Sequence, residues 1–285
     1  MRDLKPVRQH SISVSRNLEI YKLKILAVCS LVLAAAFTVR ADDPYADTVV
    51  SYVPGTGINT SFENSSAALG APASSATITA PAFSNTNIVG VGNGGELTVE
   101  FSVPIPNDPV DQASGMAFTI FGNDFFTLGS GEISGVFDHP GLSVWVSQDN
   151  INYYQLAAPY GADSAFPTAG SGNAALPVNT TLSLSNFTGQ TQAQALSLYN
   201  GSAGGASYSL SWAEDSNGDP VDLTSISYIK IEGTGGFGYV DSIARVEAIP
   251  EPSSIALLLT GAAGLFYMFK IRPHRKKFIN ALMSS

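Results

Sequence analysis

The sequence predicts an all-β protein, a β-sandwich or jelly roll, with an N-terminal signal peptide and a single C-terminal transmembrane helix. Three observations carry that expectation. Short segments rich in β-branched and aromatic residues alternate with period two, and clusters of Gly, Asn, Asp and Pro separate them. No run of ten or more residues keeps a 3.6-residue period. Charge is segregated along the chain. Of 14 Lys and Arg, seven lie at or before Arg40 and five at or after Lys270, whereas residues 42–249 carry 20 acidic residues against Lys230 and Arg245.

The first element is the leader, residues 1–41. A basic stretch reaches Lys24, and an apolar run of 15 residues follows, Ile25–Val39. Val39 and Ala41 are small enough for signal peptidase, which places cleavage between Ala41 and Asp42. The run is short for ~30 Å of hydrocarbon, which argues against an uncleaved anchor. Cleavage there removes Cys29, the one cysteine, so the exported body must be stable without disulfides and needs a full-sized core.

Residues 42–248 form the body. Thr48–Val53 opens it. Glu96–Val103 places Leu97, Val99 and Phe101 on one face and Thr98, Glu100 and Ser102 on the other. Met116–Phe121, Leu142–Ser147, Ser207–Trp212, Ile226–Ile231 and Tyr239–Val246 continue the series, with Tyr208, Leu210 and Trp212 expected on one face. The segments Asn59–Ala82 and Ala157–Asn179 are rich in small residues and carry few charges. They read as ordered but irregular coverings of the sheets, or as places where partners dock.

The last elements are a Pro-bounded strip, Ile249–Ser254, an apolar run, Ile255–Phe269, and the basic Lys270–Lys277. Two prolines in three residues keep the strip extended. The 15-residue run spans ~22 Å as a helix. Lys270 can snorkel at its end, and the basic cluster holds the tail on the cytoplasmic side. The order Pro250-Glu251-Pro252-Ser253, helix and basic tail resembles the PEP-CTERM sorting signal of Gram-negative bacteria, over residues 249–277. The resemblance implies an exosortase-type processing enzyme that recognises the Pro-Glu-Pro motif. It also implies a transient inner-membrane stage and delivery to the cell surface, outer envelope or extracellular matrix, a biofilm setting. It implies no catalytic activity. Residues 278–285 depart from the pattern, since such tails usually end at the basic run.

A second resemblance covers most of the body. Asp43–Val50, Gly92–Phe101, Phe118–Phe125, Val144–Asp149, Ile226–Glu232 and Tyr239–Ile243 are similar in order and spacing to bacterial cell-surface domains with a galactose-binding-like, discoidin-type jelly roll. Asp149-Asn150 stands where that pattern has an Asp-Gly hairpin.

The residues themselves narrow the chemistry. An acidic body repels phosphate backbones, which excludes nucleic acid as a partner. Three histidines and one cysteine exclude a Cys-based zinc site. Asp215, Asn217 and Asp219 have D-x-N-x-D spacing and Asp222 follows, so one loop offers several oxygen ligands to Ca²⁺. A polar turn is the alternative, because Pro220 follows the third ligand and the distal Glu of an EF-hand is missing. Asn123-Asp124 and Asp241, the latter near Asp47 if the terminal strands pair, are further candidates, or strand-end caps. A Ser-His-Asp triad would need His139, and no G-x-S-x-G elbow is present. Tyr153, Tyr154, Tyr160 and Trp145 could stack on sugar rings if exposed together, or pack in the core. The expectation is a non-catalytic exported protein that binds glycan or matrix polymer. The alternatives are a carbohydrate-active enzyme with two carboxylates in an aromatic cleft, and a purely structural matrix component.

Overall fold

A computed structural model describes residues 43–108 and 115–247. The leader, the Ala41–Asp42 cleavage site, the Pro250–Ser253 motif and the 255–269 apolar run lie outside the described residues. Among those described, no helix is long and apolar enough to cross a membrane.

The chain is mostly β. Its strands are β1 (Thr48–Val53), β2 (Val89–Val91), β3 (Glu96–Pro106), β4 (Phe118–Gly122), β5 (Phe125–Gly129), β6 (Glu132–Phe137), β7 (Leu142–Ser147), β8 (Tyr154–Leu156), β9 (Ala206–Tyr208), β10 (Ala213–Glu214), β11 (Ser225–Gly233) and β12 (Gly238–Arg245). They form a six-stranded sheet in the order β1-β3-β11-β7-β8-β10, a four-stranded sheet in the order β2-β12-β4-β9, and the hairpin β5-β6. Every strand pair is antiparallel. Leu97, Val99, Val144, Val146, Ile229 and Ile231 of the large sheet share one buried cluster with Val89, Phe118, Ile120, Tyr208, Val240 and Ile243 of the small one. The arrangement is consistent with a β-sandwich. Each fully buried aliphatic side chain contributes roughly 1.5–3 kcal/mol.

In β3 Leu97, Val99 and Phe101 are buried in the core and Glu100 and Ser102 are not, but Thr98, expected on the polar face with them, is buried as well. The segment Ser207–Trp212 departs from expectation. Strand pairing ends at Tyr208, and Leu210–Trp212 forms a 3-10 turn whose start is capped by the Ser209 hydroxyl accepting from Ser211 N–H. Tyr208 and Leu210 still enter the core, with Trp212 packed against it.

A second cluster lies under the long connections. It joins Phe126 and Ile133 of the hairpin to Ile78, Val178, Phe187, Ala195 and Tyr199. The eight-residue helix Gln192–Tyr199 supplies the last two from one face. Thr191 and Gln194 cap its start reciprocally, and Asn200 in the left-handed region ends it.

The segment before β1 reaches both sheets. Arg245 N–H donates to the Pro44 carbonyl and Ala46 N–H donates to that of Ile243, while Asp47 N–H donates to the Glu100 carbonyl.

Candidate functional site

Asp163 sits in the loop after β8, is buried, and gathers three separate segments. Its Oδ1 accepts the Asn123 N–H (2.6 Å) and the Asp124 N–H (2.9 Å), and its Oδ2 accepts the Tyr239 N–H (2.9 Å). His139 closes the ring. Its N–H donates to the Asp163 carbonyl, and its Nδ1 lies 3.0 Å from Asp163 Oδ2, outside hydrogen-bond alignment. Gly122 makes the approach feasible, since a Cβ there would run into the Asp163 carboxylate.

Two buried carboxyls therefore stand side by side with different surroundings. Burial, then the neighbouring charge of Asp163, pushes the Asp124 carboxyl well above its ordinary range, and its Oδ2 has no hydrogen-bond partner. Burial raises Asp163 too, but His139 and the backbone donors oppose the shift. The proton belongs on Asp124 and the charge on Asp163.

Above this clamp the rings of several segments meet. Phe83 lies 5.1 Å from Phe62, and Phe62 lies 5.4 Å from Tyr239. Tyr239 contacts Phe237 and His139 at 6.1 and 5.6 Å. His139 contacts Phe237 at 5.2 Å and Phe137 at 5.1 Å, and Phe137 stacks on Phe125 at 5.1 Å. Phe83 is 70% exposed, Phe137 49% and Phe237 37%. Large apolar rings this exposed, in one connected row, are a surface feature that burial would otherwise remove. His139 was the residue a triad would have required. It has its Asp, but among the described residues no hydroxyl hydrogen-bonds to it.

A second concavity of about 310 Å³ opens beside β7, with Leu142, Ser143, Tyr160, Tyr208 and Thr234 in its lining. No Asp or Glu lines it, so the carboxylate pair of a glycosidase is not assembled there.

The remaining candidates have clear positions. Asn123 and Asp124 present their backbone N–H groups to Asp163, and the Asn123 side-chain amide donates to the Ala82 carbonyl. Asp241 is buried and accepts the Ala73 N–H at 2.9 Å, and burial lifts its pKa to about 7. Asp47 goes elsewhere, to the Ser102 N–H and hydroxyl on β3, so the two carboxylates do not share a site. Asp215 Oδ1 accepts the Asn217 and Asp219 N–H groups of its own loop, which holds the carboxyl below its ordinary range. Asp219 and Asp222 are exposed. Among the described residues, no three His, Cys, Asp or Glu are placed to hold a metal.

Trp145 and Tyr153 flank Lys230 on the outer face of the large sheet, with its Nζ 5.4 and 4.6 Å from the two ring centres. Tyr154 packs against the core. Comparison with family models and with curated proteins returned no match to this chain.

Proposed function

We propose that the chain is an exported, exosortase-processed protein of a Gram-negative cell surface or extracellular matrix. Its β-sandwich, a galactose-binding-like jelly roll, binds glycan or matrix polymer without catalysing a reaction. The observation that carries the binding half is the ring row, with Phe83, Phe237 and Phe137 open to solvent and linked through the half-buried His139. Pyranose rings offer C–H faces that stack on such side chains, while their hydroxyls stay solvated. The acidic body favours a neutral or amine-bearing polymer over a polyanionic one. The address half rests on the two basic-flanked apolar runs and the Pro-Glu-Pro strip. Calcium is not needed for this mode of binding.

Titration of the full chain against a broad polysaccharide panel, by glycan array and calorimetry, tests the binding. The paired substitution Phe83→Ala and Phe237→Ala is expected to weaken it about 10-fold or more, from the loss of two stacking rings. Absence of binding across the panel overturns the glycan reading. Fractionation of the host tests the address, and full-length protein with an intact N-terminus in the cytosol overturns it.

A further inference from the structure

We infer that β1 is an interface strand, which pairs antiparallel with β1 of a second copy of this chain about a two-fold axis and joins the two large sheets into one. β1 lies at the end of the six-stranded sheet. Among the described residues only β3 pairs with it, so the N–H and C=O groups on its other side have no strand partner. The other sheet ends are closed. β10 is two residues long, and Val221 N–H donates back to the Ala213 carbonyl. β2 and β9 are three residues each and buried throughout. The β5–β6 hairpin is met on both sides, where Phe126 N–H donates to the Ile78 carbonyl and Ile133 N–H to that of Gln190.

β1 is different. It has six residues, and Thr48, Val50 and Val53 are exposed, the two valines by 38% and 49%. It holds no charge, no Pro and no Gly, which are the residues that keep edge strands apart. Its one irregularity, the bulge at Val50, gives it a two-fold pattern. Val49 and Tyr52 pair with Val99 and Leu97 and pack on the core, whereas Thr48, Ser51 and Val53 pair with Glu100, Thr98 and Glu96 on the outer face. The order of faces therefore reads the same from either end. Antiparallel pairing centred between Val50 and Ser51 sets Val49 against Tyr52, Thr48 against Val53, and Val50 against Ser51. Core-side residues then meet core-side residues and outer ones meet outer ones, as directly opposed residues must.

Charge selects the occupant. Residues 42–249 carry 20 acidic residues against Lys230 and Arg245, so two copies repel over most of their surfaces. Along β1 no like charges are opposed. Asp47, the acid that precedes the strand, falls opposite Pro54 and is already held by the Ser102 N–H and hydroxyl. A second copy brings the same unpaired backbone groups in the same spacing and buries Val50 and Val53 of both chains. A single strand pair is a small interface, so the dimer is weak and depends on concentration.

The experiment is sedimentation velocity on the full chain, in mild detergent to mask the terminal apolar runs, over a series reaching about 0.1 mM. Disulfide trapping runs beside it, with Val50→Cys in a Cys29→Ser background. Val103→Cys is the control, since Val103 is 46% exposed but lies on β3 past the residues that pair with β1. The expected result is a reversible monomer–dimer equilibrium, with dimer trapping at least about 5-fold faster at position 50 than at position 103. Val50→Lys should raise the dissociation constant about 5-fold or more, because it sets two ammonium groups beside the axis. Thr48→Lys makes the same test away from the bulge. Unchanged unfolding midpoints in both lysine variants show that the dimer, not the fold, was lost. A chain that stays monomeric throughout, its edge free or taken by another segment, overturns the inference. So does a dimer that neither lysine variant weakens, or equal trapping at positions 50 and 103, since the contact then lies elsewhere.

Discussion

The two main sheets of this domain use polar residues in opposite ways. β7 and β11 of the large sheet alternate buried and half-buried residues along most of their lengths, so one face meets the core and the other meets water. In the small sheet, β2, β4 and β9 are buried throughout, and β12 is buried up to Arg245. Its outer face is covered by loops, and polar side chains there hold the covering in place. Asp241 takes the Ala73 N–H, the Ser242 hydroxyl donates to the Gly70 carbonyl at 2.5 Å, and Thr119 and Ser207 bond one another at 2.8 Å. The polar residues of the outer face are mostly half-buried or exposed in the first sheet, with Thr98 and Ser147 the buried exceptions, and are anchors in the second. Removing an anchor should cost far more than removing a wet residue.

Asp163 gives the sharpest test, because it ties the ends of β4 and β12 together. Asp163→Ala should leave the Asn123, Asp124 and Tyr239 N–H groups without an acceptor and cost about 3–5 kcal/mol in urea unfolding. A loss below about 1 kcal/mol would erase the contrast between the sheets.

Asp241 comes next, and its effect depends on pH. In the folded chain its carboxyl keeps its proton up to about pH 7, against ~3.9 when unfolded. The folded state binds the extra proton between those values, so stability falls as pH rises through that window and levels off above it. Asp241→Asn removes the dependence. The variant should be more stable than the wild type at about pH 8, on the order of 2–4 kcal/mol, and equal to it near pH 4. A wild-type-to-variant difference that does not change with pH would sink the idea.

Lys230 lies on the wet face, and its loss should be smallest. Lys230→Ala gives up contacts to Trp145 and Tyr153 and a 2.5 Å pair with Glu232. The expected cost is about 0.5–1 kcal/mol, shrinking with added salt in thermal melts. A loss as large as that of Asp163→Ala would mean that this face, too, is structurally committed.

The same contrast explains what could be read from the chain. β1 and β7 fall on the expected residues, and β3, β4, β11 and β12 lie within a few residues of them; alternation marks β1, β3, β7 and β11, where one face meets solvent, whereas the buried β4 and β12 are marked by β-branched and aromatic content between turn residues. β2 and β8 are three residues each and carry too few positions for a period to show. The β5–β6 hairpin was missed although its turn is written in the chain: Ser130 and Gly131 both have positive φ, as a two-residue hairpin loop requires. Gly129 and Gly135 break the alternation on either side. The helix Gln192–Tyr199 is too short and too weakly sided for a period to stand out, though Thr191 and Gln194 have the capping-box spacing.

At the site, His139, Asn123 and Asp124 were legible as chemistry-bearing residues. Asp163 was not, because it lies among small residues in a loop and its partners are far away in sequence. The ring row was equally hidden, since Phe62, Phe83, Phe137 and Phe237 sit in four unrelated stretches that only the fold brings together.

The opening stretch, Pro44–Asp47, is stitched to β12 on one side and β3 on the other. Those first residues of the described body cannot complete their pairing until nearly the last have been added, so this closure is a contact of very high sequence separation and belongs among the slow, late steps of folding.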